Sequence, residues 1–327
     1  MIIVTGGAGF IGSALLWRLN QEKITDIVVV DRLGSQNKWK NLRKKQFSCF
    51  VHRDQLFSWI EEKKPVIDGI FHMGACSRTT EMDADFLMEN NVNYSIRLFE
   101  LARAHNAPFI YASSAATYGG EEHNFSDNES EIERLMPINK YGFSKHLFDL
   151  WVLRQRNVTN FWAGLKFFNV YGPNEYHKES QASVAFHAFN QVRESGSIRL
   201  FKSYRPHTAD GEQKRDFVYI KDVVDVMLHL YSSRLSSTQS GLYNIGTGRA
   251  RSFAELAKAI FASMKIAKPN IVWIDMPSTL RDQYQYFTEA EINKLKTVAG
   301  YTKPFHSIEE GVQDYVCNYL QQHDSYL

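Results

Sequence analysis

Cysteine is scarce in this chain: Cys49, Cys76 and Cys317 are the only three in 327 residues. They are odd in number and none stands in a C-x-x-C pair, which excludes the spacings of a zinc knuckle or a dithiol redox centre. Reduced thiols are expected, Cys76 as a small buried residue, and no metal site. Charge of one sign is lacking as well. Thirty-eight Lys and Arg oppose 36 Asp and Glu, for a net charge of +2, so no global basicity points to nucleic acid. Long apolar runs are absent. Met1 to Val4 is apolar but runs straight into glycines, too short for a signal peptide or a membrane span, so no membrane association and a cytoplasmic location are expected. Internal repeats and low-complexity segments are also missing. With 44% hydrophobic and 23% charged residues, the chain reads as globular. Its length exceeds one ordinary core, so a large domain with a smaller lobe is expected.

Residues 1 to 31 carry the strongest local signal. The strand-like Met1-Ile2-Ile3-Val4 leads into Gly6-Gly7-Ala8-Gly9-Phe10-Ile11-Gly12, a helical stretch follows, and Val28-Val29-Val30-Asp31 forms a second strand ending in an acid. Glycines at 6, 9 and 12 permit a tight turn, close approach of backbone amides to a pyrophosphate, and close helix-to-sheet packing. A helix N-terminus there favours negative charge. Asp31 is spaced to take a ribose hydroxyl, which alone argues for NAD. Arg32, Lys38 and Arg53 can offset that acid and meet a 2'-phosphate, so NADP is expected, with NAD as the alternative. The remaining cations of the basic run, Lys40, Arg43, Lys44 and Lys45, read as a solvated helix face.

Apolar strands at Ile2-Val4, Ile27-Val30, Gly69-His72, Pro108-Ala112 and Phe161-Phe167 alternate with amphipathic stretches. This predicts an α/β fold, a Rossmann-type doubly wound parallel sheet with a smaller mixed α/β substrate lobe. The expected division is a dinucleotide domain over 1–170, with returning segments over about 216–248, and a substrate lobe over 171–215 and 249–327.

Tyr141-Gly142-Phe143-Ser144-Lys145 places a phenol and an ammonium one helical turn apart. A lysine beside a tyrosine lowers the phenol pKa, so the phenolate can take an alcohol proton as hydride leaves for nicotinamide, and Lys145 can also hold the nicotinamide ribose. The strand Phe109-Ile110-Tyr111-Ala112 ends in Ser113-Ser114-Ala115-Ala116-Thr117, placing hydroxyls at a carboxyl edge where ligands bind. Ser114 is the candidate for hydrogen-bonding the substrate oxygen. Ser113 and Thr117 are neighbours otherwise suited to turn capping.

These three motifs, Thr5 to Gly12, Ser113 to Gly119 and Tyr141 to Lys145, resemble those of the extended short-chain dehydrogenase/reductase (NAD-dependent epimerase/dehydratase) family, and the resemblance spans nearly the whole chain. Further stretches, His72 to Ser77, Phe168 to Glu175, His177 to His187 and Lys214 to Tyr219, resemble the branch that acts on nucleotide-linked heptoses. That resemblance implies an isomerase in which tightly held NADP, not consumed, oxidises ADP-heptose at C6'' and returns hydride to the other face of the ketone. It implies a second acid/base, Lys178, which without the resemblance would be a solvated loop lysine. It also implies cofactor contacts at Phe10, Ile11, Asp31, Arg32, Lys38, Met73, Gly74, Ala75, Cys76, Ser77, Asn90, Tyr141, Lys145, Val170 and Lys178. Sugar-nucleotide contacts are implied at Ser114, Asn169, Ser180, His187, Phe201, Lys202, Ser203, Tyr204, Arg215 and Tyr284. A homo-oligomer, with a pentamer among its forms, and a product for the lipopolysaccharide inner core of a Gram-negative bacterium follow from the same resemblance.

Two features depart from the pattern: the loop over 202–213 is longer than expected, and Arg32 replaces a smaller polar residue. Ala115-Ala116 after Ser114 cannot exchange protons, which disfavours a 4,6-dehydratase. A UDP-hexose 4-epimerase, which needs only hydroxyl, Tyr and Lys, is the alternative within the family. An NADP-dependent sensor without catalysis is the alternative outside it.

Overall fold

A computed structural model describes residues 1–120, 124–281 and 284–327. Its thirteen strands are β1 (Ile2–Thr5), β2 (Ile27–Asp31), β3 (Cys49–His52), β4 (Gly69–His72), β5 (Phe109–Ser114), β6 (Trp162–Phe167), β7 (Asn169–Tyr171), β8 (Ile198–Phe201), β9 (Lys214–Arg215), β10 (Phe217–Tyr219), β11 (Gly241–Ile245), β12 (Arg251–Ser252) and β13 (Ile271–Ile274). The helices that matter for the site are α1 (Phe10–Gln21), α2 (Leu56–Lys63), α3 (Ala84–Leu87), α4 (Tyr94–Ala104), α5 (Lys140–Leu153), α6 (Val184–Ser195), α7 (Ile220–Ser232) and α8 (Phe253–Ser263).

Seven strands form one parallel sheet in the order β11-β6-β5-β4-β1-β2-β3. The central strands β1, β2 and β4 are wholly buried, as expected for the unbroken apolar runs of a parallel sheet covered on both faces. Leu15, Leu16, Leu19, Val224 and Met227 of α1 and α7 join the core on one face, and Leu98, Phe99, Phe148 and Val152 of α4 and α5 join it on the other. The edge strand β3 is only partly buried, which explains why no strand was evident there from the sequence. The segment from Phe217 divides: β10 pairs with β7 outside the main sheet, and α7 packs along α1. The pairs β8 with β13 and β9 with β12 form two further small ribbons.

The winding reverses between β1 and β4, which continue to opposite sides of the sheet. Their carboxyl ends therefore border the crevice where ligands of such sheets bind. Among the described residues no helix is long and apolar enough to cross a membrane.

Candidate active site

At that crevice the glycine-rich turn is held by close backbone approach. Gly6 has φ +65°, and a Cβ there would lie 2.6 Å from Gly74 N; one on Gly12 would lie 2.2 Å from Gly6 O. Neither position accepts a side chain. Gly9 caps α1 without a side chain, and no acid occupies the first turn, so its amides face the crevice unneutralised. These features fit a pyrophosphate, and the turn fits a dinucleotide.

Asp31, at the end of β2, accepts hydrogen bonds from Ala8 N (2.9 Å), Arg32 N (2.7 Å) and the Lys38 ammonium (2.6 Å). Its charge is thus matched by Lys38 before any ligand arrives. The Arg32 side chain is exposed and forms no ion pair among the described residues. Arg53, just beyond β3, donates to Asn90 and lies 4.9 Å from the Tyr94 ring centroid. Met73, Gly74, Ala75, Cys76 and Ser77 follow β4. Cys76 donates to Asn91 Oδ1 (2.9 Å) and accepts from Asn91 Nδ2 (3.0 Å), which also reaches Ser144 Oγ (3.0 Å). Asn91 thereby ties the post-β4 loop to α5. Sequence reasoning named only its neighbour Asn90, because nothing local distinguishes the two. Val170 is half-buried on β7.

Asn139 caps α5 by accepting from Gly142 N at 2.7 Å. A Cβ on Gly142 would sit 2.6 Å from Ala116 O, so this glycine lets α5 close onto the turn that follows Ser114. Tyr141, Lys145 and Ser114 are brought together in this way. Burial raises the Tyr141 phenol, and its hydrogen bond with Ser114 opposes that rise. This corrects the expected depression by Lys145, whose ammonium instead donates to Ala112 O at 2.9 Å. Burial pushes Lys145 itself down to about 8, against the attraction of Asp149.

Behind these groups lies a network that the sequence did not reveal. Lys166 and Asp149 form an ion pair at 2.9 Å with no exposure of either side chain. Asp149 also accepts from Tyr111 OH (2.9 Å) and Ser113 Oγ (2.7 Å), and Lys166 donates to Thr117 Oγ1 (2.6 Å). Ser113 and Thr117 therefore anchor both sides of Ser114 to one buried pair. Tyr141, Lys145 and Asp149 stand at successive four-residue steps on α5, a spacing that could have revealed the acid.

Lys178 lies on the 3-10 segment Tyr176–Gln181, with its ammonium 5.3 Å from the ring centroid of Phe10 in the glycine-rich turn. Burial lowers its pKa, against the pull of Glu175. Glu175 is buried and accepts from Gly172 N (3.2 Å) and Ser183 Oγ (2.7 Å). Lys45 corrects the solvated-face expectation, whereas Lys44 is exposed as expected. Lys45 is buried and donates to Leu327 O, while Lys44 pairs with Asp324 at 2.9 Å. The covering segment lies far along the chain, beyond the reach of local pattern.

Aromatic rings gather near the ends of β8 and β9. Arg215 lies 5.1 Å from the Tyr284 ring centroid, and Tyr284 meets Phe201 edge-on at 6.3 Å. The carboxylate of the adjacent Asp216 is occupied by Thr247, Gly248 and Ala290. Tyr204 donates its backbone N–H to Tyr286 OH (2.9 Å), and its ring lies under Arg281, 3.9 Å from the guanidinium carbon. Lys202 pairs with Asp275 (3.1 Å), and Ser203 N donates to Asp210 (2.7 Å), so the long loop folds back on itself. Its Gly211 sits under Trp273. Asn169 is exposed on β7, Ser180 is exposed on the Lys178 segment, and His187 lies on α6. Asn169 N donates to Asp216 O (3.0 Å), beside Arg215, whereas Ser180 and His187 share no hydrogen bond or ring contact with the Arg215 cluster among the described residues.

A family model described as the NAD dependent epimerase/dehydratase family matches residues 2–246. A protein of Fusobacterium nucleatum named ADP-L-glycero-D-manno-heptose-6-epimerase is 52% identical over 100% of both chains. One of the same name from Nitratidesulfovibrio vulgaris is 50% identical, again over 100% of both. Among solved structures, the Helicobacter pylori ADP-L-glycero-D-manno-heptose-6-epimerase superposes with TM-score 0.78 at 30% identity, covering 97% of this chain and 95% of its own. A Thermotoga maritima UDP-glucose 4-epimerase with UDP-glucose gives TM-score 0.77 at 25% identity, covering 96% and 97%.

Proposed function

As the chain belongs to the NAD dependent epimerase/dehydratase family, we propose that it converts ADP-D-glycero-β-D-manno-heptose to ADP-L-glycero-β-D-manno-heptose at C6'', supplying heptose for the lipopolysaccharide core. The observation that carries this reading is Lys178: a second lysine, partly stripped of water, stands against the cofactor turn in addition to the Tyr141–Lys145–Ser114 group. A 4-epimerase that turns its ketone between faces needs only the latter group.

A bound dinucleotide would supply a hydride acceptor and, once reduced, the donor for the return step. Gly6, Gly9 and Gly12 with the α1 amides would hold its pyrophosphate, and Met73 to Ser77, Asn90 and Val170 would line it. We assign it as NADP: Lys38 neutralises Asp31, leaving the Arg32 guanidinium for a 2'-phosphate. Tyr141 takes the proton of the C6'' hydroxyl, and Ser114 donates to the same oxygen as it becomes a ketone. Lys145, anchored on Ala112 O, keeps a positive charge beside the developing phenolate. Lys178, as its ammonium, donates a proton to the ketone oxygen as hydride returns on the other face; burial lowers its pKa and so makes the ammonium a readier donor. Arg215 offers a diphosphate its planar fork of donors, with Tyr284, Phe201 and Tyr204 as packing surfaces for the nucleotide sugar. In this reading the segments 171–215 and 249–327 form the substrate side of the crevice, and the enzyme works as a homo-oligomer.

The test is NMR of the purified enzyme with ADP-D-glycero-D-manno-heptose and no added cofactor. Conversion to the L-glycero epimer supports substrate, reaction and retained dinucleotide together. Folded protein that fails to convert it, even with added NADP or NAD, rejects the heptose assignment.

A further inference from the structure

We propose that Asn41 and Asn174 are positioning residues for Lys178, locking the segment that carries it onto the glycine-rich turn. The inference rests on the reading of Lys178 as an acid/base, and it adds the groups that fix where that lysine stands.

Asn41 is 1% exposed, and its side-chain amide donates to Ala8 O (2.9 Å) and Asn174 O (3.1 Å), with His177 Nδ1 at 3.3 Å. One amide therefore touches the cofactor turn and the two sides of the Lys178 approach. His177 is neutral and able to accept, because burial and the nearby Lys38 and Lys178 charges push it down to about 4. Asn174 is fully buried with φ +79°. It donates to Ser13 Oγ (3.0 Å), and Ser13 Oγ donates in turn to Phe10 O (3.1 Å). Phe10 is the residue whose ring faces the Lys178 ammonium. The circuit closes: Phe10 to Ser13 to Asn174, then along the chain to Lys178 and back to Phe10. Lys178 N also donates to Glu175 O at 2.9 Å, fixing the register within the segment.

Immediately after Lys178, Glu179 has φ +51°, a conformation rare for a residue with a Cβ that persists only where its surroundings impose it. The far side is covered as well. Asn174 Oδ1 accepts from Leu327 N (3.0 Å) and Tyr176 OH donates to Ser325 O (2.6 Å), while Lys44 and Lys45 hold the covering segment. Buried amides that served packing alone would be replaceable by apolar groups of similar shape, since each is costly unless its hydrogen bonds are made. Here the Asn41 amide bonds to the cofactor turn and to the segment that carries the lysine, and Asn174 bonds to Ser13 at the start of α1 and to the covering Leu327.

The experiment uses Asn41→Leu, and Asn174→Gly, which keeps the left-handed backbone, in the holoenzyme. Hydrogen exchange should rise in peptides spanning 174–182 and stay unchanged across 140–153. In single turnovers followed by the absorbance of reduced nicotinamide, oxidation of one C6'' epimer should slow by about tenfold to a hundredfold while the other keeps its rate, because only one face depends on Lys178. Equal slowing of both epimers, or unchanged exchange over 174–182, overturns the positioning role. Lys178→Met is the control on the underlying reading: if it slows neither epimer selectively, Lys178 is not the second acid/base, and the exchange data alone decide whether the lock exists.

Discussion

Replacing Lys145 with methionine should make the cofactor-free protein more stable while disabling it. Lys145 is 4% exposed and burial takes its pKa from 10.5 to about 8. That difference corresponds to roughly 3 kcal/mol against the charged form. Below about pH 8 the ammonium is charged in both folded and unfolded chains, so the folded state carries the whole cost. Between about pH 8 and 10.5 only the unfolded chain keeps the proton, and stability climbs with pH. Methionine removes the charge and most of the volume change, but it loses the hydrogen bond to Ala112 O, worth about 1 to 2 kcal/mol. A net gain of about 1 to 2 kcal/mol at pH 7 should raise the melting temperature by roughly 2 to 4 °C. Differential scanning calorimetry or urea unfolding at pH 7 and pH 10 measures both parts. The parent should gain stability between the two pH values and Lys145→Met should gain less. A variant that is less stable than the parent at pH 7, or that shows the same alkaline gain, would refute the idea that this lysine is held at an energetic cost for its chemistry.

Other perturbations have equally definite outcomes. Asp149→Asn leaves the Lys166 charge buried without its counter-ion and should cost about 3 to 5 kcal/mol in urea unfolding, whereas Asp149→Leu with Lys166→Met should recover most of that loss; equal losses in the two proteins would contradict the ion-pair argument. Tyr141→Phe should reduce turnover by about 10²- to 10⁴-fold while the purified protein keeps its dinucleotide, measured by NMR assay and by release of bound cofactor. Arg32→Ser should weaken NADP binding by roughly tenfold and leave NAD nearly unaffected in calorimetric titrations; parallel losses for both would remove Arg32 from the 2'-phosphate.

What could be read from the sequence was local. The buried runs of β1 and β2, the glycines at 6, 9 and 12, and the four-residue step from Tyr141 to Lys145 each express a short-range rule, and the sheet and the helix follow them. The functions of Gly142 and Asn91 became clear only when α5 was seen against the turn after β5 and the loop after β4. The Asp149–Lys166 pair joins a helix to a strand, and only the placement of Asp149 four residues beyond Lys145 hinted at it. The basic run misled at Lys45, where charge density suggests solvent but the side chain is buried against a segment 282 residues away that no local pattern announces. The expected fall of the Tyr141 phenol failed because burial raises it, and although helical spacing put the lysine on the right face, the Ala112 carbonyl holds its ammonium.

The central claim is that hydride leaves C6'' and returns to the same carbon from a dinucleotide the protein keeps. ADP-D-glycero-D-manno-heptose deuterated at C6'' tests it most directly, with the product read by NMR in ordinary water. The account requires the L-glycero product to retain deuterium at C6''. Deuterium lost to solvent during conversion would show that the carbon exchanges a proton instead, and would contradict the roles given to Tyr141, Lys145 and Lys178.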